Sequence, residues 1–465
     1  MRKKLLAFVD NPLGRDTEIL LPITFVFEKY LNVEVKFKFI WDLLYIKKWQ
    51  PDIILLPNIR GHNLYVEIAN FSRKSGIIVL ALDSEGNFNP ESADQYWGYN
   101  YQQKSIQEWV TCWSQKAFDY AKKFHEKEDQ KKIVITGATG FDRYIFMPKS
   151  SKSETLTQLK ATHFKMVVGY AGWAFGKLYN SQRNHSFKKF FPENRLHALE
   201  WLEDQRMKVR DMLKSVIEAH PDVLFVLKKH PKEDFEDQPI EGLNEMNELS
   251  HYSNVRYVKN EISIEELINV SDVWTGFETT TLFEAWLFKK PTILLNYDIN
   301  FPRTEHYKGS LIAKNIEEFQ AMITKQKETK DLEQLLNKKT LGKRKKLIES
   351  AIGFQDGCNH LRAMYFFQKS MVNIKDSKNI LWNMRHLRLN LLMNLGRFFY
   401  NKKLFIKLPG FRKSIYVFEN RALPGLEQRK EKVYAALEKF YHKKRLHHFL
   451  NENKWESLWA VLSKN

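Results

Sequence analysis

The sequence predicts an α/β protein of two Rossmann-like, doubly wound parallel-sheet domains followed by a helical, basic C-terminal tail. Three observations predict it. Short apolar runs alternate with helix-period segments over residues 1–150, and a second such series occupies residues 160–373; strand–helix–strand units produce this alternation. A polar, turn-rich stretch, Lys149-Ser-Ser-Lys-Ser-Glu-Thr155, lies between the two series. From 374 to 465 the rhythm fails and cation-rich helical sequence takes over.

In the first series the candidate strands are Leu5–Val9, Val33–Phe39, Ile53–Pro57, Ile77–Leu82, Trp109–Trp113 and Ile133–Thr136. Glu18–Tyr30 and Gln115–Phe124 are among the helices between them. The second series reads Met166–Tyr170, the amphipathic helix Arg195–Ala219, Val223–Lys228, Val255–Val258, helix Ile264–Val270, a strand at Val273-Trp274, a helix, and Thr292–Asn296. Two such halves form the architecture called GT-B, with an active site expected where the carboxyl ends of both sheets face each other.

With 465 residues, 43% of them hydrophobic and 14% aromatic, the chain is long and apolar enough for two or three cores and is not a disordered segment. Met1-Arg-Lys-Lys runs into Leu5-Leu-Ala-Phe-Val9 and stops at Asp10, a first strand rather than a secretory leader. No run approaches the roughly 20 apolar residues that span a bilayer. Cys112 and Cys358 supply neither a disulfide framework nor a metal-ligand cluster. The expectation is a cytoplasmic protein, peripheral on the inner face of the membrane, with no metal and no cofactor.

The densest chemistry lies in Ser271–Asn296. A strand, a tight turn at Gly276 and a helix opening on Thr279, Thr280 and Thr281 would present backbone N–H groups and hydroxyls to a phosphate. Glu284, one turn in, would accept from a ribose. The same threonines also suit plain helix capping. Lys228-Lys-His-Pro-Lys232 ends an apolar run, placing Lys228 and His230 at a strand's carboxyl end with Pro231 stopping the strand. A solvated basic loop is the plainer alternative. Gly169-Tyr-Ala-Gly172-Trp-Ala-Phe-Gly176 follows the first strand of the second half, and its small residues allow close approach of backbone to a ligand. In the first half, Asp83 and Glu85 follow the run Gly76–Leu80, where a carboxylate would act as a general base; turn capping is the alternative. Asn58 and Arg60, after the strand ending at Pro57, are acceptor-side candidates. Ile135-Thr-Gly-Ala-Thr-Gly-Phe141 lacks the third glycine of a dinucleotide loop and reads as a turn entering the interdomain link.

The net charge of +19 favours anionic partners. Between Ser377 and Phe418 there is no acidic residue, against nine Lys and Arg. Asn383, His386, Asn390, Asn394, Arg397 and Asn401 recur at spacings of three and four, marking one polar stripe on an otherwise apolar helix. Residues 377–418 therefore suit an anionic membrane surface, or a helix packed on the rest of the chain with its cations solvated.

These residues resemble a family. The second half is similar to GT-B glycosyltransferases, in particular bacterial capsule and surface-carbohydrate biosynthesis proteins, over roughly residues 1–370 in organisation. His230-Pro231 resembles the HP motif of sialyl-, Kdo- and glycerophosphotransferases, and Thr279–Thr281 stand where those enzymes hold donor phosphate with paired hydroxyls. Asp83-Ser-Glu85-Gly86 resembles their acidic loop. The resemblance implies a glycosyltransferase moving a sugar from a nucleotide-sugar donor, CMP-linked or UDP-linked, to a saccharide or lipid-linked acceptor in a surface polysaccharide such as capsule or lipopolysaccharide. Lys228, His230 and Thr279–Thr281 would hold the departing phosphate, Glu284 the ribose, and Glu85 or Asp83 would serve the acceptor. The alternatives are a sugar-nucleotide epimerase of the same fold, and a binding protein for nucleic acid or an anionic surface; the sequence shows no recognised nucleic-acid motif.

Overall fold

The computed structural model describes residues 2–10, 12, 14–59, 63–84, 86, 104–172, 196–229, 245–259, 261–277, 279–295, 308–336, 338–375, 377–404, 415 and 417–463. The chain forms two compact units, Met1–Met147 with Glu349–Asn465, and Pro148–Ile348.

The first unit is built on a parallel sheet of strands β1 (Lys4–Val9), β2 (Glu34–Phe39), β3 (Ile53–Leu56) and β4 (Ile78–Ala81), in the order β2-β1-β3-β4. β1, β3 and β4 are almost wholly buried, as strands covered on both faces must be, and their continuous apolar runs are what made them legible. The expected fifth and sixth strands exist as β5 (Val110–Cys112) and β6 (Ile133–Ile135), but they pair with each other in a separate two-stranded sheet. At three residues each they are short; Glu108, just before β5, donates its N–H to the Val79 carbonyl of β4, and the Thr111 hydroxyl of β5 donates to the Ala81 carbonyl.

The expected domain boundaries at 160–373 and 374–465 differ from the observed division. The helix Arg15–Tyr30 is buried along Thr17–Phe27, and what covers it is C-terminal sequence. Leu361 and Phe367 of helix Asn359–Ser370, Leu437 and Tyr441 of helix Leu426–Lys443, and Leu458 and Leu462 of helix Trp455–Leu462 share one core with Leu20, Phe25 and Phe27. The other face of the sheet carries Ile380, with Leu389 and Val417 packed against it. The last hundred residues thus complete the first unit's core instead of forming a detached tail.

The Thr136–Phe141 turn belongs to the same closure. Gly137 takes φ +81°, and a side chain there would run into Asn359. Asp142, just after it, accepts from the backbone N–H groups of Asn359 and His360 and meets His360 Nδ1 at 2.7 Å, while His360 Nε2 lies 2.6 Å from the Tyr441 hydroxyl. These side chains are sealed from solvent, so the network staples three segments far apart in sequence.

The second unit holds a six-stranded parallel sheet, β12-β11-β10-β7-β8-β9, of β7 (Met166–Gly172), β8 (Val223–Lys228), β9 (Val255–Val258), β10 (Val273–Phe277), β11 (Thr292–Leu295) and β12 (Leu311–Ala313). β12 was not expected, since three residues give no period to read. Helix Leu196–Ala219 and helix Ile316–Thr329 flank this sheet. Val168, Tyr170, Leu213, Ile217, Phe225, Val273, Ile293 and Phe319 share its core. Helix Ile264–Val270 starts on a full capping box between Ser263 and Glu266.

Candidate functional site

Strand order decides where the second unit can bind. From β7 the chain winds outward through β8 and β9, then returns to the other side of β7 as β10 and winds outward again through β11 and β12. The reversal lies between β7 and β10, and open α/β sheets bind ligands at the carboxyl ends of the strands flanking such a point. Register brings the candidate residues together there. Lys228, Ala171, Gly276 and Leu294 lie side by side in one row across β8, β7, β10 and β11, and Phe277 pairs with Gly172 one step further. Three motifs spread over more than a hundred residues thus meet at one sheet edge.

Glycine is required at these positions by steric contact. A Cβ on Gly276 would sit 2.6 Å from Thr279 Cγ2 and 3.3 Å from the Ala171 carbonyl; one on Gly172 would lie within 2.1 Å of the Tyr170 hydroxyl. On Gly169 it would strike the Trp274 ring, whose fully buried indole crosses β7 and donates from Nε1 to Thr281 Oγ1 at 2.9 Å. The three threonines have separate tasks. Thr279 Oγ1 accepts from the Thr281 N–H at 3.2 Å and donates to Thr281 Oγ1 at 3.0 Å, so these two hydroxyls brace the turn. Thr280 is exposed and makes no side-chain capping bond. The helix they open, Thr281–Leu287, buries Glu284, the expected ribose partner, among Leu282, Phe283 and Trp286. Lys228 ends β8 half-buried; its ammonium donates to the carbonyls of Lys229 and Lys259, which ties the ends of β8 and β9 together. His230 and Pro231 lie outside the described residues.

The first unit has its own reversal, between β1 and β3. Asp10 follows β1 and half-buried Asn58 follows β3. Sequence reasoning missed a group here. Asp16 Oδ2 accepts from the Asp10 N–H at 3.0 Å and from the Tyr65 hydroxyl at 2.5 Å. Burial, then the neighbouring Asp16 charge, pushes the Asp10 carboxyl up to about 6, and the same two causes raise Tyr65. The signal was present: the apolar run of β1 stops on Asp10, and Asp16 opens a helix. Asp83, expected as an acid–base residue, is buried after β4; its carbonyl accepts from Trp113 Nε1 at 2.8 Å, and a side chain on Gly86 would strike the Trp113 ring. Glu85 and Arg60 lie outside the described residues. Among the described residues no three His, Cys, Asp or Glu side chains gather as metal ligands, and no helix is long and apolar enough to cross a membrane.

No family model matches the chain, and neither does any curated protein. Solved structures do match. A protein described as a UDP-N-acetylglucosamine 2-epimerase from Listeria monocytogenes aligns over 82% of this chain and 100% of its own, with a TM-score of 0.52 and 13% identity. A second UDP-N-acetylglucosamine 2-epimerase aligns over the same shares at TM-score 0.51 and 14% identity, and S. aureus MnaA, solved with UDP, at 0.50 and 11%. The chain is similar to these in fold: two Rossmann-like α/β units of the GT-B-like class with a helical C-terminal region. The comparison corrects the glycosyltransferase expectation. Two of these structures that share the fold are described as UDP-N-acetylglucosamine 2-epimerases and the third is solved with UDP, which backs the alternative reading, a sugar-nucleotide epimerase, over transfer to an acceptor.

Proposed function

We propose that this protein is a sugar-nucleotide epimerase, an enzyme that takes a UDP-linked sugar and returns it with one ring carbon inverted, without an acceptor. The observation that carries the reading is the convergence of Gly172, Gly276 and the Thr279–Thr281 turn at the β7–β10 reversal, in a fold similar to proteins solved as UDP-N-acetylglucosamine 2-epimerases. The glycines leave the backbone of both strand ends open to a diphosphate, and exposed Thr280 offers it a hydroxyl. Glu284 is proposed for the ribose. Lys228, with its ammonium held by two carbonyls, contributes charge at short range, and His230, two residues on, is proposed as a further phosphate donor. Inversion of a carbon needs a proton removed and another returned on the opposite face. Asp83 and Glu85 are proposed for this work, together with Asp10, whose raised pKa lets it take or give a proton near neutrality.

The test is incubation with UDP-N-acetylglucosamine in D2O, followed by proton NMR. The reading expects a second UDP-sugar, with deuterium at the inverted carbon, to appear without any acceptor, and UDP to raise the melting temperature. Recovery of unchanged substrate together with no thermal response to UDP, CMP or CDP would reject it. The contact of residues 377–418 with an anionic surface is independent of this reading.

A further inference from the structure

The C-terminal helix Met384–Asn401 is apolar on two opposite faces, and the body of the protein uses only one. His386 and Met393 are buried, Leu389 packs on the core behind β1 and β3, and Gly396 lies against Phe418. The opposite face carries Met384, Leu391, Leu395 and Phe398, at spacings of seven, four and three, which is one side of a helix. Met384 is 77% exposed, Leu391 59%, Leu395 46% and Phe398 55%, and Leu392 and Trp382 beside them are also exposed. A contiguous apolar strip of this kind marks an interaction surface.

The polar stripe anticipated for this helix runs along its border with the body, with His386 buried and Asn394, Arg397 and Asn401 exposed. Asn383 caps the helix through the N–H groups of Arg385 and His386, Asn394 donates to Asn390, and Asn394 also accepts from Arg421 at 2.8 Å. Asn383, Asn390 and Asn394 are thus occupied at this border, while Leu391, Leu392 and Leu395 are exposed.

We propose that this strip docks the protein on an anionic lipid surface. Charge selects the occupant. No acidic residue lies between Ser377 and Phe418. Arg388 rises from within the strip, and Lys402 and Lys403 stand exposed at its end. Two copies meeting face to face through this strip would bring the same cations together, since a two-fold contact uses one patch twice. Anionic headgroups complement them, and the leucines, Met384 and Phe398 enter the boundary of the acyl chains. Trp382 stands at the strip's edge with the Lys47 ammonium 5.6 Å from its ring, an amphipathic pair suited to the headgroup level. Since the helix is not one that crosses a membrane, it lies in the surface plane.

The experiment is co-sedimentation of the full chain with sucrose-loaded vesicles of phosphatidylglycerol and phosphatidylcholine, and of phosphatidylcholine alone. The proposal expects binding to the anionic vesicles that weakens in 0.5 M salt. Leu391→Gln with Leu395→Gln should lower it tenfold or more, and Arg388→Gln alone about fivefold. Unchanged melting of the variants shows that they fold, and an unchanged thermal response to UDP separates this result from the epimerase reading. A full chain left in the supernatant, or a double variant that binds as the parent does, overturns the proposal. So does a dimer in solution that the double variant dissociates while vesicles capture neither form.

Discussion

Replacing Gly276 by Ala tests the β7–β10 site at its tightest point. The new methyl would lie 2.6 Å from Thr279 Cγ2 and 3.3 Å from the Ala171 carbonyl. Ordinary carbon contacts need about 3.5–4.0 Å, so Thr279 has to yield by about 1 Å. Its easiest escape is rotation about χ1, which carries Oγ1 away from the Thr281 N–H and from Thr281 Oγ1. Overpacking costs about 1–3 kcal/mol, and a lost cap about 1 kcal/mol, so the variant should lose about 2–4 kcal/mol. For a unit of this size that is about 4–16 °C in melting temperature. Because the turn then no longer presents its N–H groups, UDP affinity should fall about tenfold or more, measured by titration calorimetry. A second substitution gives the argument its edge. Thr279→Ser removes Cγ2 and keeps the hydroxyl, so the Gly276→Ala/Thr279→Ser protein should regain most of both losses. A single variant with parental melting and UDP affinity would refute the packing described for this turn. A double variant as impaired as the single one would move the clash to the Ala171 carbonyl and refute the role given to Thr279.

Four further outcomes follow from the same structure. Thr280→Val should weaken UDP binding about threefold to tenfold at unchanged melting temperature, whereas Thr281→Val should lower the melting temperature, because only Thr281 braces Trp274. His360→Ala should destabilise the first unit by about 1–3 kcal/mol, read by urea denaturation, because it takes the imidazole from the buried Asp142 carboxylate, which keeps its two backbone N–H donors, and from the buried Tyr441 hydroxyl, and it should leave the UDP response of the protein intact. Asp10 binds its proton more tightly folded than unfolded, so its stabilising contribution is complete below about pH 4 and lost as pH rises through about 6. Asp10→Asn should therefore gain up to about 3 kcal/mol at pH 7.5, with little difference at pH 4, in paired denaturation curves. Truncation after Val372 should yield an insoluble or unfolded protein, since it strips Leu437, Tyr441, Leu458 and Leu462 from the helix Arg15–Tyr30; a soluble, cooperatively melting fragment would contradict the shared core.

What the sequence revealed depended on how many residues carried each signal. β1, β3, β4 and β8 are buried on both faces, so burial itself writes an unbroken apolar run that needs no partner to be recognised. Helices Gln115–Phe124 and Ile264–Val270 were legible to the residue, the second because its capping box marks where it begins. The convergence of Lys228, Gly172 and Gly276 was partly legible, because motifs that follow successive strands of a doubly wound sheet share its carboxyl edge. Strand order was not legible, and it is the order that makes β7 and β10 neighbours. Asp10, Asp16 and Tyr65 escaped notice because they are up to 55 positions apart in ordinary sequence, with no motif, and acquire meaning only through contacts such as the 2.5 Å one between Asp16 and Tyr65.

The basic C-terminal region shows why charge alone misleads. Read as composition, an excess of cations points outward, to a nucleic acid or a membrane. Many of them in fact point inward. Lys378 pairs with Asp52, Arg385 with Glu67, Arg421 with Asp42, Arg429 with Glu18 and Lys430 with Glu28, at 2.6–3.0 Å. Every one of these acids lies in the first seventy residues, so this part of the excess is the counter-charge of the unit the C-terminal helices complete. Most of these pairs are largely shielded from solvent, where removing one partner costs more than the pair contributes. They therefore specify which helix covers which strand more than they add stability. Arg388, Lys402 and Lys403 are a different population, exposed and gathered around the apolar strip of Met384–Asn401. Partner recognition belongs to cations that the fold leaves beside exposed apolar surface, and by that criterion three residues, not the net charge of +19, carry the argument for a membrane surface.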